Sequence, residues 1–95
     1  MKLPRKIRVG DTFYKVKKYK TLKDKFGEVN FEQKIIRLKS PQKEIENTVL
    51  HEVIHIVEEY FNLEMTENQV CSLANGLRMV MLDNPQLVDV FKNGE

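Results

Sequence analysis

The chain has 95 residues and a mass of 11.2 kDa, which suffices for a single domain over residues 1–95 and leaves no room for a second. Hydrophobic residues make up 41% of it and charged residues 32%, a balance that argues against a disordered protein. No apolar run approaches the roughly 20 residues that span a bilayer, and no apolar segment typical of a signal peptide follows the basic start. The single cysteine, Cys71, cannot form an internal disulfide, so we expect a reducing compartment, the cytoplasm.

Charge is distributed unevenly along the chain, although the formal net charge is only +2. Residues 1–43 contain 14 Lys and Arg against four acidic residues, whereas residues 44–95 contain two against ten. A basic half is compatible with a nucleic-acid-binding module. Neutralisation of one half by the other across a single fold explains the same pattern, and net charge alone does not identify a partner. Nucleic acid is therefore the least favoured partner.

The first forty residues predict a small β-sheet, because β-branched and aromatic residues alternate there with polar ones. The predicted strands occupy Lys6–Val9, Thr12–Tyr19 and residues 28–31 and 34–39. A tight turn joins the last two strands, and alternation places Ile36 and Leu38 on one face of the fourth.

From Ser40 onward the hydrophobic period predicts helices. Ser40 as N-cap, with Pro41 in the first turn, predicts a first helix that runs to about Tyr60. Its apolar residues cover a broad arc, so we expect this helix to be central and covered on more than one side. The polar arc carries both histidines of the chain, His51 and His55.

Two further helices are predicted. Thr66, with Gln69 three residues later, has the pattern of a capping box and starts the second helix, which ends before Pro85. Apolar residues at helical spacing form its predicted buried stripe: Val70, Leu73, Ala74, Leu77 and Met81. The final helix is predicted over residues 86–92, with three side chains docked on the core: Leu87, Val88 and Phe91. The sequence thus predicts an α+β fold in which a small N-terminal sheet packs on two main helices.

The first helix carries the pattern His-Glu-x-x-His at His51, Glu52 and His55. Residues four apart lie one turn apart on the same side of a helix, so both imidazoles can reach one cation. Zn²⁺ binds neutral imidazole at about 2.0–2.1 Å and favours tetrahedral coordination. Glu52 then lies beside the metal, where it can act as general base on a zinc-activated water. The alternative is a pair of histidines on a polar face without a metal.

A third protein ligand has to be a carboxylate or Cys71, because the chain has no further histidine. Glu67 is favoured, since it extends the apolar stripe of the second helix and would point inward, where a cation neutralises it. It could instead complement the positive end of the helix without a metal. Glu59, Glu64 and Cys71 are the less favoured candidates.

The motif at His51, Glu52 and His55, followed by Glu67 at the start of a second amphipathic helix, resembles the gluzincin arrangement. It is similar to the ImmA/IrrE-type zinc peptidases and to small metallopeptidase-like proteins of phages and prophages, over residues 27–82. The resemblance implies a minimal zincin-like fold and a metallopeptidase that hydrolyses peptide bonds in a protein or peptide substrate, such as a regulator. It also implies bound Zn²⁺, with His51, His55 and Glu67 as metal ligands and Glu52 as the catalytic base.

The resemblance also implies a role for one of the predicted strands. The strand over residues 34–39 would be the edge strand beside the metal and would pair with an extended peptide substrate. The alternative is an ordinary edge that its cationic side chains protect from pairing. The candidates for stabilising a developing oxyanion are Tyr60, Asn75 and Arg78.

Two other functions stay open. Zinc could stabilise a non-enzymatic protein-interaction module by joining two helices of a small core. A closed site with four protein ligands would favour that module, and an open site would favour the enzyme. A nucleic-acid-binding module on the basic half would instead show steep salt dependence and indifference to chelators.

Overall fold

A four-stranded sheet followed by three helices forms the chain over residues 3–94, the part that the computed structural model describes. The strands are β1 (Lys6–Val9), β2 (Thr12–Tyr19), β3 (Gly27–Asn30) and β4 (Ile35–Lys39). The helices are α1 (Ile45–Tyr60), α2 (Glu67–Asp83) and α3 (Pro85–Asn93). The predicted α+β class is confirmed, and β1 and β2 have the predicted bounds.

The strands lie in the order β1-β2-β4-β3, so β4 is an interior strand. It pairs in parallel with β2 and antiparallel with β3. The prediction that residues 34–39 form the edge strand is therefore wrong, because β3 pairs with the side of β4 that faces away from β2 and takes the outer position. Arg37 does not protect an edge either, since it donates to Glu28 on β3 at 3.1 Å.

The hydrophobic core has two parts, one on each side of α1. Between α1 and the sheet lie four buried residues: Tyr14, Ile36, Leu38 and Ile56. Between α1 and α2 lie three buried residues: Ile54, Val70 and Ala74. The broad apolar arc of α1 thus correctly predicted a central helix, and Ile36 and Leu38 share a buried face of β4 as expected.

α1 begins at Ile45, so the predicted start at Ser40 is wrong. The N–H of Ser40 donates to the carbonyl of Tyr19 at 2.8 Å, which keeps this residue at the end of the sheet. The side-chain amide of Gln42 donates to the carbonyl of Lys39 at 2.6 Å. The helix can begin only after this anchored turn.

α2 begins as predicted, with Thr66 as N-cap, but only part of its apolar stripe is covered. Val70 and Ala74 are buried, whereas Leu73, Leu77 and Met81 remain exposed. The predicted docking of α3 on the core is wrong, since its three apolar residues are exposed: Leu87, Val88 and Phe91. Among the described elements α3 contacts α2 alone, so these side chains do not pack against the sheet.

Over residues 3–94, no helix combines the length and the apolar character needed to cross a membrane.

Candidate metal centre

Three side chains converge where α1 meets the start of α2. His51 and His55 lie one turn apart on α1, and Glu67 is the first residue of α2. His51 Nε2 lies 2.9 Å from Glu67 Oε2, and His55 Nε2 lies 3.2 Å from Glu67 Oε1. One potential ligand atom from each residue lies within 4.8 Å of the others. Both imidazoles thus turn the same ring nitrogen toward one carboxylate.

The antiparallel packing of α1 against α2 produces this convergence. His55 lies opposite the first residue of α2. One turn earlier on α1, Nδ1 of His51 lies 3.7 Å from Sγ of Cys71. One further turn away, the Asn47 amide donates to Oδ1 of Asn75 at 2.7 Å. A polar row on each helix therefore faces the other, and the histidines occupy one end of it.

The capping box that begins α2 fixes the backbone on either side of Glu67. The hydroxyl of Thr66 accepts from the Gln69 N–H at 3.1 Å, and Oε1 of Gln69 accepts from the Thr66 N–H at 2.9 Å. The Glu67 side chain is 67% exposed, so the expectation that it points inward with the apolar stripe is wrong. It precedes Val70, the first buried residue of α2, and lies at the rim of the packed region. The cluster is consequently open to solvent on one side.

Glu52 is a buried acid beside the cluster, with 7% of its surface exposed. Burial raises the pKa of its carboxyl to about 7, while His55 opposes this rise and the charge of Glu67 adds to it. Gly27 on β3 permits this burial, because a Cβ there would lie 3.3 Å from Glu52 Oε2 and 2.6 Å from Thr48 Cγ2. α1 therefore approaches the edge strand closely enough to keep water from the carboxyl.

The cluster lines a groove of about 620 Å³ between the sheet edge and the two helices. One wall, contributed by β3 and the residues next to it, carries apolar side chains: Phe26, Val29 and Phe31. Of the three residues predicted to stabilise an oxyanion, only Asn75 is among the described residues that line this groove. Tyr60 is half exposed elsewhere, and Arg78 lines a separate apolar depression.

The other candidate ligands do not face the point where the histidine Nε2 atoms and the Glu67 carboxylate meet. Glu59 and Glu64 are exposed, and neither belongs to the metal-ligand cluster found among residues 3–94. Cys71 contacts Nδ1 of His51, whereas it is Nε2 of that ring that faces Glu67. The positions of the side chains thus favour Glu67 as the third ligand.

Sequence reasoning missed Glu58. Its Oε1 lies 3.1 Å from Nδ1 of His55, and its Oε2 accepts a hydrogen bond from the Met65 N–H at 2.9 Å. The bond from Met65 and the contact with His55 lower the pKa of this carboxyl below its usual range. The position of Glu58 three residues after His55 was the available signal, because such residues share a helix face.

The donor set fits zinc. In a tetrahedral site with ligands at about 2.0–2.1 Å, two ligand atoms lie roughly 3.3 Å apart. The nitrogen–oxygen separations of 2.9 and 3.2 Å involve different oxygens of Glu67, and one donor atom from each of the three residues lies within 4.8 Å of the others. Two imidazoles and one carboxylate beside an open groove also match the donors of catalytic zinc sites, whereas structural sites are closed by four protein ligands.

No protein-family model matches the chain, and no curated protein or solved structure matches it at a significant level.

Proposed function

We propose that this chain is a zinc-dependent metallopeptidase of gluzincin type with a minimal zincin-like fold. The observation that carries the proposal is the convergence of three donors, from His51, His55 and Glu67, at an open groove beside the buried carboxyl of Glu52. A metal held only for stability would not need an acid kept out of water next to it. The open groove likewise favours a site that admits a substrate.

In this proposal Glu52 transfers protons, and other groups of the site bind the peptide carbonyl. Zinc, when bound, would lower the pKa of a coordinated water and polarise a peptide carbonyl. Glu52, with a pKa of about 7, can accept a proton as a base and return it as an acid near neutral pH. The same carboxyl would then deliver that proton to the leaving amine. Asn75, which lines the groove, is the candidate donor to the developing oxyanion.

An extended peptide is the substrate class that the groove favours. β3 is an edge strand of the described sheet, and its residues line the groove beside the cluster. A peptide that paired with β3 would add a fifth strand through main-chain hydrogen bonds. Its carbonyls would pass near the histidines, and the apolar wall would receive its apolar side chains. We therefore assign the peptide-binding edge to β3 and not to β4.

A non-enzymatic zinc-stabilised module is the second candidate, and the small core favours it. Only three buried residues join α1 to α2 in the described part of the chain: Ile54, Val70 and Ala74. A metal bridging the two helices would add directly to their stability. In either case the exposed thiol of Cys71 suits a reducing compartment, so we propose a cytoplasmic location.

Hydrolysis of a peptide library by the zinc-loaded protein tests the proposal. Cleavage should stop when a chelator removes the metal. Glu52→Gln should keep its zinc but lose activity by roughly 10²–10⁴-fold, the usual contribution of a general base. Glu59→Gln, which removes the same charge from an exposed position of α1, serves as the matched control. Equal cleavage by Glu52→Gln and wild type would refute the catalytic role, and zinc binding without any cleavage would favour the interaction module.

A further inference from the structure

Glu58 uses both of its carboxylate oxygens, and each joins it to a different part of the candidate site. Oε1 lies 3.1 Å from Nδ1 of His55, on the side of the ring opposite Nε2. Oε2 accepts from the Met65 N–H at 2.9 Å. The side chain is 18% exposed, so water competes little for either oxygen. Its neighbour Glu59 is exposed instead.

The contact with His55 selects one form of the imidazole. A neutral imidazole carries a single N–H, and an ionised carboxylate can only accept. Both ring nitrogens face a carboxylate, Nδ1 that of Glu58 and Nε2 that of Glu67. Glu58 is 18% exposed and Glu67 is 67% exposed, so water weakens a bond to Glu67 more than a bond to Glu58. The ring proton is therefore drawn to Nδ1, where it forms a hydrogen bond to Glu58, and the lone pair is left on Nε2. That nitrogen is the one that faces Glu67 at 3.2 Å. Glu58 thus prepares His55 to donate a lone pair into the cluster.

The hydrogen bond from the Met65 N–H to Glu58 fixes the segment that leads into α2. After α1 the chain turns through Asn62, which has a positive φ of 57°. The N–H of Met65 then bonds to Glu58, two residues before Glu67. The next residue, Thr66, is the N-cap of α2. One carboxylate on α1 therefore holds the segment that carries the third ligand.

We infer that Glu58 is a positioning residue that sets the tautomer of His55 and fixes the start of α2, so that both ligands are in place before a metal arrives. This inference rests on the proposed zinc site. The outer partners of metal-binding histidines typically change metal affinity by about 10–100-fold.

Glu58→Gln is the sharpest variant, because a glutamine has one acceptor and one donor group. If its carbonyl keeps the bond to Met65, its NH₂ points at Nδ1 of His55 and donates to it. The ring proton then moves to Nε2 and blocks the ligand atom. Glu58→Ala removes both contacts, and Glu59→Gln is again the matched control. All three should retain helical circular dichroism, since Glu58 lies outside the buried core.

Two measurements test whether Glu58 positions His55 and the start of α2. Long-range ¹H–¹⁵N spectra of the metal-free protein at about pH 8, where an ordinary imidazole is neutral, report which nitrogen of His55 is protonated. We expect Nδ1 in wild type and in Glu59→Gln, and a shift toward Nε2 in Glu58→Gln. Zinc affinity, measured by competition with a chromophoric chelator, should fall about 10–100-fold in Glu58→Gln and Glu58→Ala. Faster hydrogen exchange at the Met65 amide in Glu58→Ala would report the second contact.

An unchanged tautomer together with unchanged zinc affinity in Glu58→Gln would overturn the inference while leaving the proposed enzyme intact. Absence of zinc binding by wild type would overturn the proposed function. Because the tautomer is measured without metal, that result would still show whether Glu58 orients His55.

Discussion

Glu52→Gln should make the metal-free protein more stable at neutral and alkaline pH. The substitution keeps the shape of the side chain but removes a charge that the folded chain excludes from water. In the unfolded chain this carboxyl loses its proton near pH 4.5, whereas burial raises its pKa to about 7 in the folded protein. Between these two values the folded state binds more protons than the unfolded state. The free energy of unfolding of wild type should therefore fall as the pH rises through this window, and level off above it.

The size of the effect follows from the two pKa values. Each pH unit between them costs roughly 1.4 kcal/mol, so the contribution of Glu52 should fall by about 3 kcal/mol between about pH 4.5 and 7. The side chain is only 7% exposed, so solvent screening should reduce this figure little. Glu52→Gln has no carboxyl to titrate at this position. The amount by which its free energy of unfolding exceeds that of wild type should therefore increase from about pH 4.5 to 7.

Urea unfolding of chelator-treated protein, followed by circular dichroism at several values from about pH 5 to 8, measures this difference directly. Glu59→Gln controls for removal of a negative charge from the same helix. Its free energy of unfolding should change with pH in the same way as that of wild type. Other groups that titrate in both proteins cancel when the variant is compared with wild type. If Glu52→Gln also runs parallel to wild type, the carboxyl is not held in a water-poor environment and its assignment as a tuned acid and base is wrong.

Three further substitutions test the packing and the metal. Gly27→Ala should lower the free energy of unfolding by about 1–3 kcal/mol in urea, because its Cβ would lie 2.6 Å from Cγ2 of Thr48; adding Thr48→Ser, which removes that methyl group, should restore most of the loss. Zinc at a free concentration of 100 times its dissociation constant should stabilise wild type by about 2.7 kcal/mol and raise its melting temperature. His55→Ala should abolish this rise, and an equal rise in both proteins would contradict the ligand assignment. Thr66→Ala should cost about 0.5–2 kcal/mol by loss of the cap, and Thr66→Ser should cost much less; equal losses would show that the hydroxyl does not cap α2.

Features that depend on residues close in sequence could be predicted. The two bonds of the capping box join Thr66 to Gln69, three residues away, and helix geometry alone places His51 and His55 on one side of α1. The approach of Glu67 to the histidines follows once a short connector joins two packed helices. The capping box and the histidine pair need no knowledge of the rest of the fold.

Features that depend on distant pairing could not be predicted in the same way. The parallel pairing of β2 with β4 joins Lys15 to Ile35, and no local pattern shows that β3 will occupy the outer position. The late start of α1 depends on the Gln42 side chain, which donates to the carbonyl of Lys39 and also to that of Phe26, a residue far from it in the sequence. The role of Glu58 likewise depends on Met65 folding back toward α1.

Zinc K-edge X-ray absorption of the zinc-loaded protein examines the proposed centre itself. It should show one zinc per chain surrounded by nitrogen and oxygen donors at about 2.0–2.2 Å, including two imidazoles. A sulfur at about 2.3 Å would place Cys71 among the ligands and contradict the set of His51, His55 and Glu67. Failure of the protein to retain any zinc would contradict the metal centre as a whole.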